Sequence, residues 1–188
     1  MNGIPLIPAQ LREKAKKIKL LTLDVDGIMT DGGLIQGDDG QEYKRFHARD
    51  GLGLRYLRES GVDLALITGR TSEVVKRRAS ELKAVRVYQG RHEKLPAFEM
   101  LCQELEVTPD QVAYMGDDII DLPVLVRCGL ALTVADAHAY VKPHAHWIST
   151  RNGGNGAVRE ACELILHSQG LLQPIYERAT SLAPTDNP

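Results

Sequence analysis

The amino-acid sequence predicts an α/β protein with a Rossmann-like, mostly parallel sheet and helices on both faces. Six short apolar runs have the length of strands, and helical patterns lie between most of them. Strands that alternate with helices run parallel, and the helices cover both sides of the sheet. The chain has 188 residues, of which 43% are hydrophobic and 26% charged, as is typical of a globular protein. We therefore expect one domain spanning residues 1–188.

The predicted elements follow in order along the chain. The apolar runs predict strands at residues 20–25, 63–68, 85–88, 111–115, 130–134 and 146–149. Apolar positions at helical spacing, such as Val75, Ala79 and Leu82, predict helices at residues 52–59, 73–82, 94–105, 119–127 and 157–169. We interpret the glycine-rich residues 152–156 as a flexible hinge, and we expect a flexible tail over about residues 170–188.

A hairpin interrupts this alternation at about residues 33–46. The segments Leu34–Gln36 and Glu42–Phe46 flank the turn sequence Gly37-Asp38-Asp39-Gly40. A two-stranded hairpin alone is marginally stable in water. We therefore expect it to protrude from the sheet and to pack on the domain or on another subunit.

The bulk composition argues against several classes of partner. A net charge of −2 does not indicate nucleic-acid or anionic-membrane binding. No apolar run approaches the ~20 residues that span a bilayer, and Met1–Gln10 lacks the apolar core of a signal peptide. The three cysteines are widely spaced and odd in number, which is typical of reduced thiols. These features predict a cytoplasmic protein.

Polar residues lie at the carboxyl ends of four predicted segments or just beyond them. Ligands of open α/β sheets bind at this edge, so a parallel sheet brings these groups together. Two of the residues, Asp24 and Asp26, lie two apart on one face of a strand, which is unfavourable unless a cation such as Mg²⁺ neutralises them. The full set is Asp24, Asp26, Thr68, Gly69, Arg70, Lys94, Asp117, Asp118 and Asp121.

Together these groups have the composition that phosphoryl transfer requires. One carboxylate can attack phosphorus, and a second can protonate the leaving oxygen and then activate water. A lysine and Mg²⁺ offset the charge of the phosphoryl oxygens, and a hydroxyl group orients them. Taken singly, each of these residues could have an ordinary role. Thr68 could be a turn residue, Lys94 could be a solvated surface residue, and the three acids after residue 116 could favour the start of a helix. The hypothesis therefore depends on their joint occurrence in this order.

The set Asp24-Val25-Asp26-Gly27, Thr68-Gly69-Arg70, Lys94 and Gly116-Asp117-Asp118-x-x-Asp121 resembles the four motifs of the haloacid dehalogenase superfamily. The resemblance covers essentially the whole chain. It implies that Asp24 is the nucleophile and that Asp26 is the general acid and base. It also implies that Thr68 binds the phosphoryl group and that Lys94 stabilises charge.

The same resemblance implies a Mg²⁺ site. The ligands would be the Asp24 carboxylate, the backbone carbonyl of Asp26 and the Asp117 carboxylate, with Asp118 and Asp121 supporting them. In this superfamily, an aspartate at the position of Asp26 is typical of phosphatases and mutases. The sequence leaves no room for a cap domain between Asp26 and Thr68 or between Arg70 and Lys94. Because a mutase must keep water from its aspartyl-phosphate, this layout favours hydrolysis.

Three arginines, Arg55, Arg70 and Arg78, indicate a substrate that carries a carboxylate besides its phosphate, since a guanidinium group pairs with both. The alternative is that Arg55 and Arg78 are ordinary surface residues. The segment Phe46–Gly53, the absent cap and the stretch Gly153–Glu160 resemble the subfamily of homotetrameric phosphatases that hydrolyse 3-deoxy-D-manno-octulosonate 8-phosphate (KDO 8-phosphate) in lipopolysaccharide biosynthesis. The resemblance implies substrate contacts by Asp26, His47, Arg49, Asp50, Gly51, Arg55, Gly69, Arg70, Arg78 and Lys94.

Other functions remain open from the sequence. Phosphatases of nine-carbon sugar acids share this scaffold, and a phosphatase of broad or nucleotide specificity is a further alternative. A non-catalytic oligomerisation module is the alternative from another class, although every catalytic position is filled here.

Overall fold

A computed structural model describes residues 7–181 of the chain. Six strands form one parallel sheet in the order β5-β4-β1-β6-β7-β8, and a separate antiparallel hairpin pairs β2 with β3. The predicted strands are confirmed, with ends that differ by at most three residues. The strands are β1 (Leu20–Leu23), β2 (Ile35–Gln36), β3 (Glu42–Tyr43), β4 (Asp63–Ile67), β5 (Arg86–Tyr88), β6 (Val112–Met115), β7 (Leu130–Thr133) and β8 (Trp147–Ile148).

Helices connect these strands and cover the sheet. They are α1 (Ala9–Lys16), α2 (Ala48–Glu59), α3 (Glu73–Glu81), α4 (Lys94–Glu104), α5 (Leu122–Leu125), α6 (Ala157–Ser168) and α7 (Leu172–Ser181). The helix predicted at residues 119–127 is a 3₁₀ turn over Ile119–Asp121 followed by α5. None of the helices built from the described residues has the length and apolar character needed to cross a membrane.

Buried strand residues divide the core into two layers. Leu21 and Leu23 of β1 pack in the layer that includes residues of α1, α2, α3 and α6, whereas Leu20 packs in the layer that includes α4 and α5. This alternation follows from the period of two in a strand. It confirms the prediction of helices on both faces of the sheet.

The hairpin exposes apolar side chains. Leu34, Ile35 and Tyr43 are each more than half exposed, although Ile35 and Tyr43 pair across the two strands. Between Asp26 and Thr68, the structure has this hairpin, α2 and β4, and between Arg70 and Lys94 it has α3 and β5. Neither segment contains the additional elements of a cap domain.

The interpretation of residues 152–156 as a flexible hinge is wrong. The Gly153 amide donates to Asp136 Oδ1 at 2.9 Å, and the Gly154 amide donates to the Ile28 carbonyl at 3.0 Å. A β-carbon added to Gly153 would lie 1.7 Å from the carbonyl oxygen of Gly27. The stretch is therefore packed directly against the turn that follows Asp26, and glycine is required for this close approach.

The prediction of a flexible tail from about residue 170 also needs correction. Residues 172–181 form α7, whose Leu172 is buried in the core. The hydroxyl group of Tyr176 donates to Glu163 Oε1 of α6 at 2.8 Å. An amphipathic helix that buries one face is held by packing. The prediction of a tail did not take the amphipathic pattern of this segment into account. Residues 182–188 lie outside the described part of the chain, as do residues 1–6 at the N-terminus.

Candidate active site

The parallel topology brings the predicted catalytic residues to one edge of the sheet. β1 lies between β4 and β6, with Leu23 in register with Leu66 and with Met115. Asp24 therefore follows β1 next to the ends of both neighbouring strands, and its amide donates to the Met115 carbonyl at 3.0 Å. Thr68 follows β4 and is buried.

Lys94 joins two of the acids at this edge. Its side chain is fully buried, and Nζ lies 2.8 Å from Asp24 Oδ1 and 2.6 Å from Asp121 Oδ1. Burial by itself lowers the pKa of Lys94, but the carboxylates of Asp24 and Asp121 raise the pKa above its usual value. The lysine is therefore a fixed positive charge at the centre of the acidic cluster.

Asp121 uses both of its oxygens within the protein. Oδ1 accepts hydrogen bonds from Lys94 and from the Tyr114 hydroxyl group, each at 2.6 Å. Oδ2 accepts from the amides of Asp117 and Asp118 at 3.0 and 3.1 Å. These four bonds use the acceptor capacity of a carboxylate. Asp121 therefore orients Lys94 and the loop after β6.

The arrangement of the acids at this edge suits a metal ion. Carboxylate oxygens of Asp24, Asp117 and Asp121 lie within 4.8 Å of one another. Asp117 Oδ1 is buried and has no hydrogen-bond partner among the described residues. Burial and the neighbouring Asp24 raise the pKa of Asp117 to about 8, and burial raises the pKa of Asp24 to about 7. An unpaired oxygen among crowded carboxylates fits a hard divalent cation such as Mg²⁺.

Gly27 allows Asp117 to approach the turn that carries Asp26. Gly27 has φ of +89°, and an added β-carbon would lie 2.1 Å from Asp117 Oδ2. A side chain at this position would therefore displace the proposed metal ligand. The glycine is required both by its backbone conformation and by this contact.

The side chain of Asp26 faces the hairpin. Lys44 Nζ donates to Asp26 Oδ1, and Arg70 Nε lies 3.9 Å from Asp26 Oδ2. Glu42 Oε1 lies 3.4 Å from Lys44 Nζ and accepts from Arg70 at 3.3 Å. The sequence reading did not identify Lys44, Glu42 or Tyr114 as parts of the site. Glu42 and Lys44 are two residues apart in the predicted hairpin segment, so a strand there would place both side chains on one face. This spacing was the signal in the sequence that could have identified them as a pair.

The predicted substrate-binding residues fall into two groups. Asp26, Arg70 and Lys94 belong to the acidic cluster or contact it, and Gly69 lies beside His92 and Ile120. The second group lies on α2 and α3, where a cleft of about 580 Å³ is lined by Gly51, Arg55, Arg58, Arg78, Glu81 and Lys83, among others.

Within this second group, the arginines differ in their surroundings. The Arg78 guanidinium lies 5.4 Å from the centre of the Phe46 ring, 3.0 Å from Glu81, and against Gly51. Arg55 is exposed and pairs with Glu59 one helical turn away, and Arg49 is also exposed. His47 precedes α2, and its buried Nδ1 has no hydrogen-bond partner in the described chain.

Asp50, for which the family resemblance implies a substrate contact, holds the start of α6 in the structure. Asp50 is buried on α2, and its Oδ1 accepts from the Arg159 amide at 2.8 Å. Arg159 lies in the first turn of α6, whose N-cap is Gly156 and thus has no capping side chain. The Asp50 carboxylate supplies this missing acceptor and also suits the helix dipole.

Comparisons with known proteins agree with this geometry. A family model described as haloacid dehalogenase-like hydrolase matches residues 72–160. The 3-deoxy-D-manno-octulosonate 8-phosphate phosphatase of Yersinia pestis is 47% identical over 161 residues, which cover 86% of each chain. The corresponding phosphatase of Escherichia coli K12 is 45% identical over 166 residues, or 88% of each chain.

A solved structure extends the comparison to three dimensions. The 3-deoxy-D-manno-octulosonate 8-phosphate phosphatase of Moraxella catarrhalis, in complex with magnesium ion, phosphate ion and KDO, superposes with a TM-score of 0.89. It is 42% identical, and the match covers 90% of this chain and 98% of that one. The present chain therefore belongs to the haloacid dehalogenase-like hydrolases, in the family of the 3-deoxy-D-manno-octulosonate 8-phosphate phosphatases.

Proposed function

We propose that this protein is a Mg²⁺-dependent phosphomonoesterase that hydrolyses KDO 8-phosphate to KDO and phosphate in lipopolysaccharide biosynthesis. The observation that carries the proposal is the buried cluster in which Lys94 bridges Asp24 and Asp121 beside the unpaired oxygen of Asp117. The substrate follows from relatives that are 45–47% identical over most of the chain.

The first half of the reaction transfers the phosphoryl group to the enzyme. An oxygen of the Asp24 carboxylate attacks phosphorus, and the bond between phosphorus and the sugar oxygen breaks. Asp26 donates a proton to that oxygen, so the sugar acid leaves as an alcohol. Lys94 holds Asp24 Oδ1 at 2.8 Å and offsets negative charge during the transfer.

The second half returns the enzyme to its starting state. Asp26, now a carboxylate, accepts a proton from water as the water oxygen attacks phosphorus. The bond between phosphorus and Asp24 breaks, and phosphate is released. Thr68 is buried at the end of β4 and supplies a hydroxyl group for the phosphoryl oxygens.

Asp24, Asp117 and the backbone carbonyl of Asp26 are the proposed ligands of Mg²⁺. When bound, the ion neutralises the carboxylates and the phosphoryl oxygens, which otherwise repel one another. Asp118 and Asp121 hold the loop after β6 in place: Asp121 accepts from two of its amides, and Asp118 Oδ1 accepts from the Ile119 amide at 2.7 Å.

The proposed substrate carries a carboxylate besides its phosphate, which favours arginine ligands. Arg55 and Arg78 line the α2–α3 cleft, and Arg70 reaches the side chain of Asp26. The proposal assigns the sugar-acid end of the substrate to these arginines together with His47 and Arg49.

We further propose a homotetramer assembled through the hairpin. The apolar side chains of Leu34, Ile35 and Tyr43 are more than half exposed within one subunit, and a second copy of the hairpin would bury them. The three cysteines are buried and unpaired, which fits the cytoplasmic location that the sequence predicts.

The nucleophile assignment is tested with Asp24→Asn. We expect kcat to fall at least about 1000-fold, since an amide does not attack phosphorus, with an unchanged circular dichroism spectrum. Asp31→Asn is the matched control, because Asp31 is an exposed acid that pairs with Arg45. Activity of Asp24→Asn within tenfold of wild type would contradict the assignment.

A substrate panel tests the specificity. We expect the highest kcat/KM with KDO 8-phosphate among sugar-acid phosphates, nucleotides and simple alkyl phosphates. A preference for a nine-carbon sugar acid or for nucleotides would replace the proposed substrate. No turnover of any phosphate with Mg²⁺ present would favour the oligomerisation module. Because the reaction requires Mg²⁺, EDTA should abolish activity and added Mg²⁺ should restore it.

A further inference from the structure

The hairpin places a buried ammonium group against the predicted general acid. Lys44 directly follows β3, and only 1% of its side chain is exposed. Its Nζ donates to Asp26 Oδ1 and lies 3.4 Å from Glu42 Oε1. Arg70 approaches the same two acids from the end of β4, at 3.9 Å from Asp26 Oδ2 and 3.3 Å from Glu42.

Hairpin stability alone does not account for this lysine. Taking an ammonium group out of water is unfavourable, and an apolar residue of similar volume is often as stabilising as a buried ion pair. Apolar side chains already occupy the hairpin at Leu34, Ile35 and Tyr43. An apolar residue could not replace the contacts to Asp26 and Glu42, of which the one to Asp26 is the shorter.

We propose that Lys44 is a positioning residue for Asp26. This inference rests on the proposed function, because it assigns to Asp26 the proton transfer of a phosphomonoesterase. Lys44 holds one carboxyl oxygen of Asp26 and so keeps the other directed toward the leaving oxygen. Glu42 holds Lys44 and Arg70 together, so the hairpin completes the active site besides serving assembly.

The role of Asp26 defines what a loss of Lys44 should change. In the first half-reaction, the proton moves from Asp26 to the oxygen of the leaving alcohol as the bond between phosphorus and oxygen breaks. An alkyl alcohol is a poor leaving group and needs this proton, whereas p-nitrophenolate leaves without it. A misplaced Asp26 therefore slows phosphoryl transfer from alkyl phosphates selectively, whereas the attack of water in the second half-reaction, which also uses Asp26, is the same step for every substrate.

The test compares Lys44→Met with wild type on a sugar-acid phosphate and on p-nitrophenyl phosphate. General acid catalysis contributes about 100-fold or more, so we expect the rate of phosphoryl transfer from the sugar-acid phosphate, measured in a single turnover with excess enzyme, to fall by about 10- to 100-fold. For p-nitrophenyl phosphate, the single-turnover rate of p-nitrophenolate release should change by less than about threefold, and the apparent Kd of both substrates should stay within about twofold.

Arg45→Met is the matched control, because Arg45 is the next residue and its exposed side chain pairs with Asp31. This variant should keep wild-type kinetics with both substrates. In Lys44→Ala, a small primary ammonium ion such as ethylammonium can enter the space left by the side chain. We expect it to restore part of the phosphoryl-transfer rate with the sugar-acid phosphate and to leave that with p-nitrophenyl phosphate unchanged, whereas a structural role of Lys44 would change both.

Equal losses of the phosphoryl-transfer rate with both substrates would overturn the proposal, as would an increase in the apparent Kd without a change in that rate, which indicates a substrate contact instead. If wild type does not act on sugar-acid phosphates, a simple alkyl phosphate replaces them in the same comparison. A failure of the substrate assignment thus remains separate from a failure of the role of Lys44.

Discussion

Asp121→Asn probes the buried polar cluster with a nearly isosteric change. Asp121 is fully buried and accepts four hydrogen bonds, from Lys94, Tyr114 and two backbone amides. Asparagine has one acceptor oxygen and one donor group. Because the backbone amides cannot turn, the asparagine oxygen must face them, and its NH₂ group must face Lys94 and Tyr114.

The magnitude follows from these four contacts. The bond from Lys94 is lost, and a hydrogen bond to a charged group contributes about 1.5–3 kcal/mol. The two amide bonds persist as weaker bonds to a neutral acceptor, and the Tyr114 hydroxyl group can rotate to accept. Lys94 keeps Asp24 as its partner at 2.8 Å, and the loss of one negative charge relieves some repulsion. We therefore expect the free energy of unfolding to fall by about 3 kcal/mol.

The assay is urea unfolding followed by far-ultraviolet circular dichroism, in buffer with EDTA so that metal binding does not contribute. Asp118→Asn is the matched control, because Asp118 is exposed and asparagine also caps a helical turn. The control should change the free energy of unfolding by less than about 0.5 kcal/mol. A change below about 1 kcal/mol for Asp121→Asn would refute the reasoning, since the four contacts would then not hold the cluster together.

Three further predictions follow from other contacts. Burial raises the pKa of Asp24 to about 7 and that of Asp117 to about 8. Because Mg²⁺ binds the deprotonated carboxylates, the Kd for Mg²⁺ measured by calorimetry should increase about tenfold or more when the pH is lowered from 8.5 to 6.5. A Kd that does not change with pH would exclude these two residues as ligands. The added methyl group of Gly153→Ala should force the turn at Gly27 to shift. In urea unfolding, the variant should be less stable by about 1–3 kcal/mol, and it should bind Mg²⁺ more weakly. Unchanged stability and Mg²⁺ affinity would mean that the loop containing Gly153 moves freely. Asp50→Ala removes the acceptor at the start of α6 and should lower the free energy of unfolding by about 1–3 kcal/mol. If the variant instead keeps wild-type stability and loses much of its kcat/KM, Asp50 contacts the substrate.

Several parts of the fold and site follow from local sequence. Apolar runs locate the strands, and the alternation of strands with helices implies parallel order. Polar residues directly after those runs must then lie at the carboxyl edge, as Asp24, Thr68 and Asp117 do. These predictions succeed because each depends on a short segment and on one general rule of topology.

The glycine-rich stretch and α7 show where local patterns are insufficient. In the sequence, the glycines of residues 152–156 resemble a flexible hinge. In the structure, the backbone of Gly153 packs closely against the backbone of Gly27. The helix over Leu172–Ser181 is held by contacts with α6. The partner of Gly153 lies far away in the chain, at Gly27, whereas α7 packs on the helix that precedes it, so only the first contact lies outside a sequence window.

The sequence by itself determined the fold class, the acidic edge and the family resemblance, because each depends on residues near one another in the chain. Only the tertiary structure decided which side chains meet. Lys44 reaches Asp26 across 18 residues, and Asp50 holds the amide of Arg159 across 109. Such contacts depend on how elements pack and where side chains point, so the contact between the hairpin and Asp26 can be seen only in the folded chain.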